Sequence, residues 1–507
     1  MRDRDGSSGR PNPSRRRRAC WIALGVLIAV AALVGLFAYR LSCDEESLAG
    51  VVAEIRRRGE PIEWREFQPE PVRLEEDAAN LYRQAVRRVQ GEFRAGAPKA
   101  AEPDPNAERR ADLSMLLRGD VVIHPGLRAQ RSRDVRDILA LSRDVLSLCR
   151  RARGRKSADW GLTYQGPAMS CPLPSLSDLA VLSGLLCLAA LRAQEEGRPA
   201  EAAEYLRDAL ALAESVEAMP TLVSFMTAEG MREAVCTVVE QRAPDPSVRP
   251  RDPAAPRAVR RLIGDLLGPD RFPRAVMGER SILYDMAERV RSGQIPLSTL
   301  TTWPRGGALA AIRNFRLGMV APSFYVSDEI ELLEAMGRHV EASKARTYTA
   351  ALAALRKPPG TPDRDDRGPL ARALWPSFRR IYKIRYRVVA RRRLAAAALA
   401  IRLYELDHGG RGPARLQELA PQYLPAVPAD PFAADAAPIR HLPDAKRPVL
   451  YSVFKNGTDE GGEFTVGSTG YVGLVDSPDL VFFLRGGRPV PRVEDAFPSS
   501  RPSATAP

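Results

Sequence analysis

The stretch "EEGRPAEAAEYLRDALALAESV", residues 195–216, decides the fold class of this chain. Its alanines and leucines recur three and four positions apart, which gathers them on one face of a helix and leaves acids and arginines on the other. Gly197 suits a left-handed helix cap, and Pro199 suits the first turn of the next helix. So short a connection makes the helix expected over 176–196 an antiparallel neighbour of the one expected over 199–217. The unit looks like one hairpin of a tetratricopeptide-type repeat. The period of about 34 residues that marks such arrays does not recur, so the expectation is an irregular bundle of helical hairpins.

The same periodicity extends outward over 74–94, 131–153, 220–241, 257–267, 274–291 and 326–344. Two loop-like segments interrupt it. Residues 154–175, "GRKSADWGLTYQGPAMSCPLPS", carry Trp160, Tyr164 and Cys171, and residues 357–369, "KPPGTPDRDDRGP", read as an exposed linker. A long helix is expected over 377–408, basic in its first half and alanine-rich in its second. Arg391-Arg392-Arg393 exclude a membrane span there. The basic half reads as a solvated face or as a contact for lipid headgroups. From 409 the texture changes to prolines and short apolar runs, and 448–454 and 480–484 read as strands.

Near the N-terminus, residues 19–39, "ACWIALGVLIAVAALVGLFAY", are uncharged and long enough to cross a bilayer. Arg15 to Arg18 precede them, and Asp44-Glu45-Glu46 follow shortly after. That asymmetry places the tail in the cytoplasm and the bulk of the chain outside the cytoplasmic membrane. A cleaved signal peptide is the closest competing reading. Arg40-Leu41-Ser42-Cys43 faintly resembles a lipoprotein processing site, with arginine where an aliphatic residue belongs. A retained single-pass anchor is the preferred reading.

The 507-residue chain carries 76 basic and 62 acidic residues, a net charge of +14. Only seven of the basic residues are lysines, and the arginines are scattered among acids rather than massed with aromatics. No nucleic-acid motif is present, so no nucleic-acid partner is expected. The cysteines beyond the anchor, Cys43, Cys149, Cys171, Cys187 and Cys236, have neither zinc-site nor disulfide-scaffold spacing, and their pairing stays open.

The C-terminal region resembles a known family. The residues are "YELDHGGRGPARLQELAPQYLPAVPADPF" at 404–432, "LYSVFKNGTDEGG" at 450–462 and "DSPDLVFFL" at 476–484. This order is similar to the globular part of type II secretion pseudopilins. It also resembles a group of planctomycete-type membrane-anchored proteins, in which Asp159-Trp160 and the "PTLVS" run at 220–224 have counterparts. The resemblance implies a small pilin-like α+β module. The membrane helix does not directly precede the long helix here, and no pseudopilin processing site is present, so the resemblance implies the fold of the module and not filament assembly. It also implies a calcium site, with Asp459, Glu460 and Asp479 as the named ligands and Glu463 and Asp476 beside them. The residues themselves leave a simpler account open: Asn456-Gly457 favours a hairpin turn, Gly461-Gly462 a second bend, and the acids are then merely solvated.

The expected fold class is therefore mainly α: a transmembrane helix, an irregular helical-hairpin ectodomain and a small C-terminal α+β module. The expected limits are a cytoplasmic tail at 1–18, an anchor at 19–39, a helical ectodomain at 44–356, a linker at 357–369, the long helix and module at 370–485, and a disordered tail at 486–507. His124, His339, His408 and His441 form no metal-binding pair, and no nucleophile elbow or phosphate-binding loop occurs. The functional expectation is binding or scaffolding of protein or peptide partners without catalysis. An envelope enzyme lacking a local motif and a secretion-assembly component are the alternatives. Glu279-Arg280 and the Trp160 loop are the candidates for lining a groove.

Overall fold

The hairpin at 195–216 forms as read. One helix, Leu176–Glu195, ends at Gly197, whose φ of 71° makes the left-handed cap, and the next, Pro199–Glu217, starts on its proline and packs back against the first. The computed structural model describes residues 45–94, 125–248, 253–295, 324–356, 378–443, 445–465, 477–485 and 488–489, together with Leu27. The tail at 1–18, the linker at 357–369, the segment at 19–39 apart from Leu27, and most of 486–507 lie outside the described residues.

The fold is mainly helical, with one small sheet. In chain order the helices are α1 (Ala78–Arg94), α2 (Pro125–Gln130), α3 (Ser132–Leu141), α4 (Arg143–Arg153), α5 (Leu176–Glu195), α6 (Pro199–Glu217), α7 (Leu222–Glu240), α8 (Ala254–Leu266), α9 (Phe272–Arg291), α10 (Phe324–Ser343), α11 (Tyr348–Ala354) and α12 (Phe378–Asp407). Residues 45–57 are also helical. The single helix expected over 131–153 is broken at Ser142, which ends α3 and starts α4. The chain divides into two units. The smaller takes Met1–Glu60, Ala287–Glu334 and Pro362–Trp375, and within it Arg291 Nε meets Glu329 Oε2 at 3.0 Å. The larger holds everything described below.

Helix α5 is long and apolar enough to cross a membrane by length and composition, with a mean hydropathy of 1.7. Its apolar window is 72% buried, and Leu182, Leu185, Leu186 and Cys187 have no exposed surface. Burial of each such leucine stabilises the fold by about 1.5–3 kcal/mol. Cys149, Cys171, Cys187 and Cys236 are free thiols.

Arg379 and Arg380, in the first turn of α12, face solvent as expected, whereas Arg385, Arg391, Arg392 and Arg402 are buried. Arg391, fully buried, donates to Glu240 Oε2 at 2.8 Å and to Glu233 Oε1 at 3.1 Å on α7. Arg385 grips Asp270 with both ends of its fork at 3.0 and 3.2 Å, and Arg392 donates to the Gly268 carbonyl at 2.7 Å. Arg402 donates to the Pro244 carbonyl at 3.0 Å, just past the end of α7. The long helix thus belongs to the core of the helical body as well as to the C-terminal module.

The sheet is antiparallel in the order β1–β2–β3, with β1 at Arg440–Leu442, β2 at Val449–Ser452 and β3 at Leu480–Phe483. Leu450 stands opposite His441 on one side and Phe482 on the other. Both faces are covered. Val449, Tyr451, Val481 and Phe483 pack with Leu442 and Phe464, while the Arg391 guanidinium of α12 lies over the Phe482 ring. This double burial explains why β2 and β3 read as continuous apolar runs. Asn456-Gly457 does not make a two-residue hairpin. Gly457, at φ 70°, ends a 3-10 turn over Phe454–Asn456, and a long connection leads from β2 to β3.

Gly278 in α9 lies against the connection between α6 and α7, where an added Cβ would sit 1.8 Å from the Pro220 carbonyl oxygen. Gly278→Ala is expected to destabilise the protein by at least about 1–3 kcal/mol, since backbone cannot yield as a side chain can. Urea unfolding measures this, and an unchanged midpoint would show that the contact is not made. Arg391→Met is expected to cost about 3–5 kcal/mol by leaving Glu240 and Glu233 under-compensated. Adding Glu240→Gln should recover part of that loss in the same measurement.

Candidate functional site

The 154–175 segment is fixed to the helical body by a few strong hydrogen bonds. Asp77, at the start of α1, accepts from the Ala79 and Asp159 amides through Oδ1, both at 2.9 Å. Its Oδ2 accepts from the Asn80 amide and from Arg83. One buried carboxylate therefore caps a helix and holds the loop at once. Trp160, 7% exposed, donates from Nε1 to the Ser215 carbonyl at 2.8 Å and stacks on Tyr82. Trp64 donates to the Thr163 carbonyl at 2.9 Å and stacks on Tyr164 at 5.3 Å. The Ala168 amide donates to Asp285 at 3.0 Å.

Between this loop, the start of α1, the end of α4, the C-terminal part of α6 and the start of α9 lies a cavity of about 420 Å³. Tyr82, Trp160 and Tyr164 form its aromatic wall, and Arg153, Arg155, Lys156, Arg271 and Arg274 bring five positive charges to it. Asp159 and Glu214 are the carboxylates among its lining residues. Arg153 is committed elsewhere, to Glu204 and to the buried Asp208, whose carboxyl burial pushes up to about 6 against the pull of Arg150 and Arg153. Arg271 pairs with Glu214 at 3.1 Å. Burial pushes the Tyr164 hydroxyl up to about 12, and it holds the Arg274 guanidinium below its usual range, with Arg271 adding to that effect.

Among the described residues no histidine or cysteine lines the cavity; Asp159 accepts from the Gly161 amide and Glu214 pairs with Arg271. The cations on its lining equip the cavity to hold negative charge. Of the groups singled out in the sequence, the Trp160 loop lines the cavity and Glu279-Arg280 does not. Arg280 is fully buried and donates to the Pro61 carbonyl at 2.9 Å, while Glu279 accepts from the Leu222 amide. Arg155, Lys156, Arg271 and Arg274 were not expected here. The basic pair beside Asp159-Trp160 was the one local signal.

The acidic loop of the C-terminal module brings two of its three named carboxylates into one unsatisfied state. Asp479, without exposed surface, accepts from the Gly462 and Glu463 amides at 2.8 and 3.2 Å through Oδ2. Its Oδ1 and the Oε2 of Glu460 are buried with no hydrogen-bond partner among the described residues. Asp459 accepts from Tyr451 at 3.1 Å and pairs with Arg440 at 2.7 Å. Glu463 contributes its carbonyl to the Asp479 amide, and Asp476 lies outside the described residues. Calcium takes about six to eight oxygens. Glu460 and Asp479 bring unpartnered oxygens toward that demand, and Asp459 is paired with Arg440. Among the described residues no three acids, histidines or cysteines converge on a metal position.

Burial, reinforced by the charge of Glu460, pushes Asp479 up to about 6. The folded chain therefore keeps this proton at pH values where the unfolded carboxyl, at about 4, has lost it. Folded protein binds more protons in that window, so this group's contribution to stability falls as pH rises from about 4 to 6. Asp479→Asn is expected to flatten that fall in thermal unfolding with chelator present, and Asp479→Ala to destabilise by loss of the amide contacts. An identical pH profile in parent and Asn variant would refute the assignment. No protein-family model, curated protein or solved structure matches the chain.

Proposed function

We propose that this chain is a membrane-anchored envelope protein whose helical body binds a ligand without transforming it. The observation that carries the reading is the cavity under the Trp160 loop. It lies within the range of about 300–1,000 Å³ usual for small-molecule sites, and its walls are held by Asp77, Trp64 and Trp160 through backbone hydrogen bonds. Residues 19–39 serve as the anchor, with the cytoplasmic charge cluster at Arg15 to Arg18 and the body outside. The packing of a long helix on a three-stranded antiparallel sheet supports a relation of the C-terminal module to pseudopilin globular domains. The two orphan oxygens of Glu460 and Asp479 support a calcium role in holding that module's loop.

Alkaline phosphatase fused after residue 60 should be active, since it folds only outside the cytoplasm, and an inactive fusion would overturn the topology. For the cavity, the full-length protein in detergent is screened for compounds that raise its unfolding midpoint. A ligand at a hundredfold its Kd adds about 2.7 kcal/mol. Ala211 lines the cavity, and Ala211→Phe, which fills it, should abolish the response. Shifts unaffected by that substitution would place binding elsewhere. Millimolar calcium should raise the midpoint of the parent and leave Asp479→Asn unmoved.

A further inference from the structure

The binding reading leaves the chemistry of the ligand open, and the charges around the cavity narrow it. Five cations against two carboxylates line the space, an excess of three. That excess is not spread evenly. Arg153 and Arg271 have carboxylate partners, whereas Arg155, Lys156 and Arg274 have none among the described residues. Arg274 makes only a long contact to the Phe67 carbonyl at 3.4 Å, with its guanidinium 5.3 Å from the Phe67 ring centre. Elsewhere in the helical body several buried arginines are matched to carboxylates, and others, such as Arg392 and Arg402, to backbone carbonyls. Arg232 sits between Glu217 and Glu229, Arg391 between Glu240 and Glu233, and Arg385 on Asp270.

We propose that the cavity takes a small organic anion, whose phosphate or carboxylate group is held by Arg155, Lys156 and Arg274 and whose flat or apolar portion lies against Tyr164 and the edge of Trp160. The proposal rests on the binding reading above. A guanidinium fork offers paired donors to the oxygens of such a group, and an ammonium adds a mobile point charge. The bound anion would also relieve the mutual repulsion of Arg274 and Arg271. A neutral ligand would leave Arg155, Lys156 and Arg274 without a carboxylate partner at the cavity, which favours an anion over that class.

Calorimetric titration of the full-length protein in neutral detergent tests this with four probes: phenyl phosphate, benzoate, benzyl alcohol and inorganic phosphate. Phenyl phosphate or benzoate should bind at least tenfold more tightly than benzyl alcohol, and added salt should weaken the binding. The better of the two identifies the anionic group. The double variant Arg155→Gln/Lys156→Gln should lose at least tenfold while keeping the parent's unfolding midpoint, because both side chains are exposed and unpaired. Arg274→Gln should weaken binding on its own. Equal binding of benzyl alcohol, abolished by Ala211→Phe, would overturn the anionic class and leave the cavity reading standing. Inorganic phosphate binding as tightly as phenyl phosphate would overturn the organic portion. Full affinity in the double variant, or no binding of any probe, would overturn the proposal outright.

Discussion

The buried contact between Arg391 and Glu240 is the constraint on which the larger unit depends. Glu240 ends α7, accepts from the Phe483 amide of β3 at 3.0 Å, and meets both Arg391 and Arg488. One carboxylate therefore joins the helical body, the long helix and the sheet. Taking these charges out of water costs several kcal/mol per ion, so the pair adds little net stability over an apolar substitute. What it adds is registry, because a slide of α12 along α7 by one turn would take the buried Arg391 guanidinium away from both Glu240 and Glu233. The neighbouring Glu229 shows the contrast. Burial pushes it up to about 7 against the pull of Arg232, and its Oε2 has no partner among the described residues. Burial acts on Glu240 too, yet Arg488 and Arg391 together hold it below the usual carboxylate range.

The cavity inherits its shape from the same kind of economy. Asp77 spends all its acceptor capacity on the start of α1 and on the loop that follows α4. Trp160 then closes the inner side by stacking on Tyr82 and donating to α6 at Ser215. These contacts are largely to backbone, so they position the loop without consuming the side chains that face the cavity. Its aromatic residues are thus partly walls and partly plugs, and the cations at 155, 156 and 274 remain available.

The helices were legible wherever their burial follows a local period. The α5–α6 hairpin follows from Gly197, Pro199 and the spacing of alanines and leucines, and the ends of α12 fall within a residue of those expected. Three features were not legible. Ser142 breaks a helix although no glycine or proline marks the site. Tyr348–Ala354 is a single short helix started by Thr347, whose side chain accepts from the Ala350 amide. Arg440–Leu442 becomes a strand only because β2 offers it an edge. The arginines of α12 mislead for a deeper reason. A run such as Arg391-Arg392-Arg393 reads as solvated because its partners, Glu233, Glu240 and the Gly268 carbonyl, lie more than a hundred residues upstream.

The same long-range pairing gives the net charge of +14 its meaning. Scattered arginines argued against a nucleic-acid surface, and the structure shows many of them spent inside the fold on carboxylates and helix-end carbonyls. What then matters is where the local balance fails. It fails toward positive charge at the cavity, where residues from the end of α4, the following loop and the start of α9 converge although each stretch looks ordinary alone. It fails toward negative charge at Glu460 and Asp479, where two buried oxygens face no donor. Against a fold that pairs Arg232, Arg385 and Arg391 with carboxylates, these two places are where charged side chains stand without an opposite partner among the described residues.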